Sequence, residues 1–193
     1  MQEERPGKTT GDFDLLKDFN SGSEEAFTRI VEKHSGPLIN FLHRYTQSQS
    51  TSEDIAQEAF LRLYKAAPDL KPDAKLSTII YKIAYNLAVD YARRNKSRSD
   101  KAPTHSLDAA AADCPDPAAG SNDNPDSIYE TRQQNKEIAA MLADLPDTQH
   151  LAIILKAYED RSYAEIAEIM GLSVSSVDSL IFRARQSLAK KLK

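Results

Sequence analysis

Thirty residues in the middle of the chain have almost nothing to bury. Residues 97–126 contain Pro103, Pro115, Pro117 and Pro125 and one large aliphatic side chain, Leu107. Such a segment cannot offset the entropy it would lose on ordering. A structureless stretch of that length is also foreign to the interior of a compact domain. The chain is therefore expected to be all-α, as argued below, with two small helical domains joined by a flexible linker. The expected bounds are 1–20 for a partly ordered lead-in, 21–96 for the first domain, 97–126 for the linker and 127–193 for the second domain.

Charge follows the same division. Lys and Arg number 25 against 29 Asp and Glu, a net of −4. Residues 1–96 hold 14 basic and 14 acidic side chains, and residues 127–193 hold 9 of each. The linker holds 2 basic and 6 acidic, so it carries the whole excess. Within the neutral halves the basic residues cluster, at Arg93, Arg94, Lys96 and Arg98 and again at Arg183, Arg185, Lys190, Lys191 and Lys193. Basic residues at the ends of helices complement the helix dipole; a role in holding phosphate needs further support.

Other classes are disfavoured. One cysteine, Cys114, rules out a disulfide framework within the chain and lies in the linker between residues that order nothing around it. His34 and His43 are nine apart, with no cysteine pair or carboxylate at metal-ligand spacing. They are expected at the surface. No convergent acid–base or nucleophilic set is visible, so no catalytic residue, metal or cofactor is expected. No apolar run is long enough to span a membrane, and the opening MQEERPGK lacks the apolar stretch of a signal peptide. The expectation is a soluble, cytoplasmic protein with no membrane insertion.

The first half reads as helices throughout. Phe27, Ile30, Val31, Leu38, Phe41 and Leu42 fall at helical spacing over 23–45, with a break expected near Gly36-Pro37. Ser52 followed by Glu53 and Asp54 reads as an N-cap with first-turn acids. From there Ile55, Ala59 and Leu63 form a buried line, with Phe60 and Tyr64 as a second line beside it. Asp54, Gln57, Glu58 and Leu61 are left for other surfaces. After a loop with Pro68 and Pro72, residues 78–96 give an apolar stripe at Ile80, Ile83, Ala84, Leu87, Ala88 and Tyr91. Lys82, Asn86, Arg93 and Arg94 project elsewhere.

The second half carries a helix-turn-helix pattern. Helices are expected at 128–143 and 147–159, split at Leu145-Pro146. Ser162 and Glu165 then form a capping-box pair. Ala167 is small where a second helix must approach, and Gly171 permits the positive φ of a tight turn. Leu172 is expected to plug the corner, and Ser173 or Ser175 to cap the next helix. Val177, Leu180, Ile181, Ala184 and Leu188 supply that helix's inner line. In this motif the second helix enters the major groove. Ser175, Ser176, Ser179 and Arg183 would then face DNA, and Arg185 belongs to the same basic end.

These residues resemble a bacterial RNA polymerase sigma factor of the extracytoplasmic-function (ECF) type, in the sigma-70 family. SEDIAQEAFLRLYK resembles the family's core-binding helix, TIIYKIAYNLAVDYARR its −10 promoter helix, and LPDTQHLAIILKAYEDRSYAEIAEIMGLSVSSVDSLIFRARQSL its −35-binding domain. The match covers roughly 23–96 and 128–192. The resemblance implies that Asp54, Gln57, Glu58 and Leu61 dock on the clamp helices of the polymerase β′ subunit. It implies that Tyr81, Lys82, Asn86, Arg93 and Arg94 serve the −10 element, and that Ser175, Ser176, Ser179, Arg183 and Arg185 serve the −35 element, with the second domain seated on the β flap. Core RNA polymerase and promoter DNA are the implied partners, and an anti-sigma factor covering both domains is a further one. The implied function is promoter-specific initiation of transcription.

The chain departs from the family pattern in places. Ile79 stands where the family has tryptophan, and the chain has no Trp at all; Tyr81 and Tyr85 are the nearby aromatic substitutes. Asp178 and Leu180 stand where basic residues are common. Two other functions remain open from sequence alone: a stand-alone helix-turn-helix regulator, and a sigma-like protein that acts mainly on an anti-sigma partner.

Overall fold

A computed structural model describes residues 11–70, 74–99 and 137–191, with 97–99 described as backbone only. The expected linker beyond Ser99, with Cys114, the lead-in before Gly11 and the helix start at 128–136 lie outside the described residues. Eight helices follow in order: α1 Asp12–Asn20, α2 Glu24–Thr46, α3 Gln49–Ala66, α4 Leu76–Ser99, α5 (137–143), α6 Asp147–Ala157, α7 Tyr163–Met170 and α8 Val174–Lys191. A 3-10 turn, Ala67–Asp69, continues α3. The described residues contain no strand.

In the first unit α2, α3 and α4 pack pairwise around Ile30, Leu38, Phe41, Leu42, Leu63, Ile80 and Ala84, all fully buried. The folded unit begins before residue 21, because α1 buries Leu15 and Leu16 against α2. The expected break at Gly36-Pro37 does not occur. Proline in a helix interior removes one hydrogen bond and costs about 3 kcal/mol. Here Ile30 on one side and Leu38, Phe41 and Leu42 on the other bury against the same core, and packing holds α2 continuous. α3 starts one turn earlier than expected. Ser48 is its cap, accepting from the Thr51 N–H, while Ser52 is fully buried and donates to the Ser48 carbonyl at 2.7 Å.

The second unit is a helix-turn-helix with α5 and α6 behind it. Ser162 Oγ accepts from the Glu165 N–H, and the Glu165 carboxylate accepts from the Ser162 N–H at 3.0 Å, which completes the capping box. Gly171 ends α7 at φ 67°, ψ 35°, and its N–H bonds to the Ala167 carbonyl. The Leu172 N–H bonds to the same carbonyl, but its side chain stays 39 % exposed and plugs nothing. Ser173 caps α8 by accepting from the Ser176 N–H at 3.2 Å. Val177, Ile181 and Ala184 are fully buried on the side of α8 that packs on α6 and α7, where Leu155 and Ile166 are buried as well.

The two units are packed on each other. α7 lies along α4, and α6 along α2. Tyr81 of α4 donates to Glu159 Oε2 at 2.5 Å, and the Arg161 guanidinium covers the Tyr81 ring at 4.5 Å from its centroid. Arg161 Nη1 also donates to Ser77 Oγ at 3.3 Å. Lys75 Nζ donates to Glu165 Oε1 at 2.9 Å. On the other side of the contact Arg44 lies 4.4 Å over the Tyr158 ring, and Tyr45 lies 5.3 Å from His150. The two histidines expected at the surface, His34 and His43, are buried at 9 % and 7 % exposure, and His150 is buried too, at 3 %.

Candidate functional site

Three surfaces stand out, one on each of α3, α4 and α8. On α3, Asp54, Gln57, Glu58 and Leu61 are all exposed, as their spacing required. Leu61 is 49 % exposed and Tyr64 45 %, and both belong to one contiguous apolar patch, the kind of exposure that marks a contact surface. They border a groove of roughly 300 Å³ between α2 and α3. Its walls are Phe27, Val31 and Ile39 from α2 and Ala56, Phe60, Leu61 and Tyr64 from α3, with Glu53 and Gln57 as polar edges. Phe19 of α1 packs on Phe27 and Tyr64 at 5.0 and 4.8 Å and closes one end. Glu58 is paired along the helix with Arg62 at 2.8 Å, which leaves its carboxylate at the surface. An apolar trough with an acidic and amide rim fits an amphipathic helix with basic flanks.

On α4, Lys82, Asn86, Arg93 and Arg94 are exposed. The spacing of 82, 86 and 93 puts those three in one line along the helix. Arg93 is bonded to Asp90 one turn back, which orients the guanidinium. Tyr81 is placed differently. It is 2 % exposed, with Phe41 at 5.2 Å on the core side and Arg161 on the other. Burial, then the adjacent Glu159 carboxylate, hold its phenol well above the usual tyrosine range. Tyr85 is also buried, and its phenol is pushed up by that burial alone. Ile79 in the family's tryptophan position is half-buried against the core.

On α8, Ser175, Ser176, Ser179, Arg183 and Arg185 are all exposed, opposite the Val177, Ile181 and Ala184 line. The serines also serve the helix itself. The Ser173 hydroxyl lies 3.0 and 2.8 Å from those of Ser175 and Ser176, and Ser179 Oγ donates to the Ser175 carbonyl at 2.9 Å. Their hydroxyls keep free lone pairs and can rotate to a base edge. Arg183 Nε is held by the Ser179 carbonyl at 3.2 Å, leaving its terminal nitrogens outward. Phe182 was not anticipated. It is 60 % exposed on the same outer side as Ser175, Ser179 and Arg183. The signal was present in the sequence: an aromatic that falls off the inner stripe of its own helix.

Comparison with known proteins fits this arrangement. The model of sigma-70 region 2 matches residues 30–98, and that of sigma-70 region 4 matches residues 135–188. The ECF RNA polymerase sigma factor SigW of Bacillus subtilis is 30 % identical over 183 residues, covering 92 % of this chain and 95 % of that protein. The chain belongs to the ECF sigma factors. A further relative is the ECF RNA polymerase sigma-E factor of Escherichia coli K12, 28 % identical with 92 % of both chains covered. Among solved structures, CnrH in complex with the cytosolic domain of CnrY superposes with a TM-score of 0.68 at 23 % identity, over 94 % of this chain and 96 % of that one. The sigma factor RpoE from Bartonella quintana, solved with the anti-sigma factor NepR, gives 0.65 at 20 % identity, over 86 % and 96 %. As a sigma factor the chain directs initiation of transcription; the α4 surface lies in its region 2 match and the α8 surface in its region 4 match.

Proposed function

We propose that this sigma factor docks on core RNA polymerase through the exposed α3 face, with Asp54, Gln57, Glu58 and Leu61 at the rim of the apolar groove. Lys82, Asn86, Arg93 and Arg94 of the first domain then serve the −10 element. Ser175, Ser176, Ser179, Arg183 and Arg185 serve the −35 duplex. The observation that carries this reading is the α3 surface: Leu61 and Tyr64 stand half-exposed at the edge of an apolar trough whose other walls are Phe27, Val31, Ile39, Ala56 and Phe60. The clamp helices of β′ are the proposed occupant, and the β flap is the proposed seat of the second domain.

The chemistry of α8 favours permissive reading. Serine hydroxyls accept or donate, and so contact any base pair, whereas Arg183 discriminates guanine by a bidentate bond. Phe182 adds apolar contact for a thymine methyl. Asp178, exposed on the same helix, repels phosphate and lowers intrinsic affinity. Acting on DNA with polymerase is a cytoplasmic task, and the cytoplasm is the proposed location. No described helix is long and apolar enough to cross a membrane. The solved likeness bound to the anti-sigma factor NepR supports an anti-sigma partner for this chain as well.

Reconstitution with core polymerase tests the assignment. Burying a leucine at an interface is worth about 1.5–3 kcal/mol, so Leu61→Ala is expected to weaken core binding by roughly 10- to 100-fold. Run-off transcription from a matched promoter should fall in step. Core binding that survives both Leu61→Ala and Gln57→Ala would exclude the α3 face as the docking site.

A further inference from the structure

We propose that Asp178 of α8 reads the −35 duplex directly, its carboxylate accepting a hydrogen bond from the amino group of a cytosine in the major groove. The proposal rests on the assignment of the α8 surface to the −35 element made above.

α8 carries two outward lines. Residues four apart share one face of a helix. Val174, Asp178 and Phe182 therefore form one line, and Ser175, Ser179 and Arg183 a second beside it. All six are exposed, Val174 by 49 % and Phe182 by 60 %. Val177, Ile181 and Ala184 are buried on the opposite side. Asp178 thus stands one turn from each of two exposed apolar side chains. The positions three and four residues away from it hold Val174, Ser175, Ile181 and Phe182, and none is basic. Glu58 and Asp90, on other helices, meet Arg62 and Arg93 at such spacings. Asp178 makes no hydrogen bond or ion pair among the described residues.

A carboxylate without a cation is repelled by every phosphate it approaches, so on most sequences it lowers affinity. It recovers that loss only where the groove presents a donor. Cytosine and adenine are the bases that present an amino group there. The adenine amino group lies between two acceptors, its own N7 and O4 of the paired thymine, and both repel a carboxylate. The cytosine amino group has an acceptor on one side only, O6 of the paired guanine. Cytosine is therefore the base that suits Asp178. The next side chain on the line fits the same strand, because thymine offers a methyl group to Phe182. Four residues of helix advance about 6 Å, close to two base steps at ~3.4 Å each, so Asp178 and Phe182 address pyrimidines about two steps apart. Asp178 gives up affinity for all sequences and gains discrimination among them.

Run-off transcription by the full-length chain with core polymerase tests this, on a promoter pool in which each −35 position is varied in turn. The wild type is expected to favour cytosine at one position of one strand by at least about fivefold, the low end for a good base contact. Asp178→Ala should lose the preference at that position alone, keep the preferences elsewhere, and use the disfavoured promoters better than the wild type does. Asp178→Asn puts an amide, which pairs with adenine, in place of the carboxylate. It should shift the preferred base at that position from cytosine to adenine. Circular dichroism and thermal melting check that both variants stay folded, as expected for a side chain with no hydrogen bond or ion pair in the fold. A gain spread evenly over all promoters would overturn the reading role and leave Asp178 a repulsive charge only. A cytosine preference that survives Asp178→Ala would overturn it as well. Wild-type transcription indifferent to every −35 base would remove the assignment of α8, and this proposal with it.

Discussion

His150 sits where α6 meets α2, with its ring against Tyr45 and almost no exposure. Burial lowers its pKa to about 4, while Asp147 pulls the other way. A histidine depressed in the folded state stabilises only while it stays neutral. That contribution is complete above the ordinary value near 6.5 and is lost as pH falls towards 4. His34 and His43 are shifted in the same direction by burial. The slope for His150 alone reaches about 1.4 kcal/mol per pH unit. Glu165, held at about 2 by Lys75 with the Ser162 N–H and hydroxyl, starts to lose its own share only as pH falls towards its unfolded value of 4.5, so the upper part of the window belongs to the histidines. Thermal midpoints should therefore fall steadily from pH 6.5 to 4, and His150→Gln should flatten part of that slope. A midpoint constant across the window would contradict the assignment. Gly171 gives a second residue-scale expectation. Its φ of 67° strains any side chain although a Cβ there meets nothing within 4 Å. Gly171→Ala should cost about 1–2 kcal/mol in urea unfolding, with the cost arising from backbone strain alone.

Among the elements, the helix-turn-helix was the most legible in sequence. Its signals are local: the Ser162–Glu165 box, the small Ala167 and the turn at Gly171 act within a few residues of one another. The line Val177, Ile181, Ala184 needed only helical periodicity. Where tertiary packing decides, the reading failed. Pro37 is a strong local breaker, and only the shared core on both sides of it keeps α2 whole. Ser52 carries the cap signature with its two acids, yet its hydroxyl is turned inward to Ser48 and Thr46. α2 offers a clean test. Gly36 is helical and directly precedes Pro37, whose Cδ crowds the Cβ of any helical residue before it, so Gly36→Ala should fail to give the gain of about 0.5–1 kcal/mol that the same change gives elsewhere in a helix, as read by chemical denaturation. A gain of that size would mean that the proline ring leaves the position before it unhindered.

At the scale of the molecule the halves were foreseeable but their contact was not. Tyr81, Glu159 and Arg161 lie about 80 residues apart, and no periodicity links them. The same blind spot explains the histidines, since His150 is buried by a partner helix from the other half. Each half has equal numbers of acids and bases, so the free chain should hold duplex DNA only in the non-specific range. Dissociation constants above about 1 μM are expected near physiological salt. Titration of labelled promoter duplex, with and without core polymerase, reads this directly; nanomolar binding by the chain alone would contradict it.

α4 is committed on three sides at once: Ile80 and Ala84 to the core, Ser77 and Tyr81 to the second half, Lys82 and Asn86 to solvent. A helix so used has no idle side on which drift is neutral. A new side chain at Lys82 falls next to Tyr81, whose ring is wedged between Phe41 and Arg161. The outward and inward demands on this rod can only be met together.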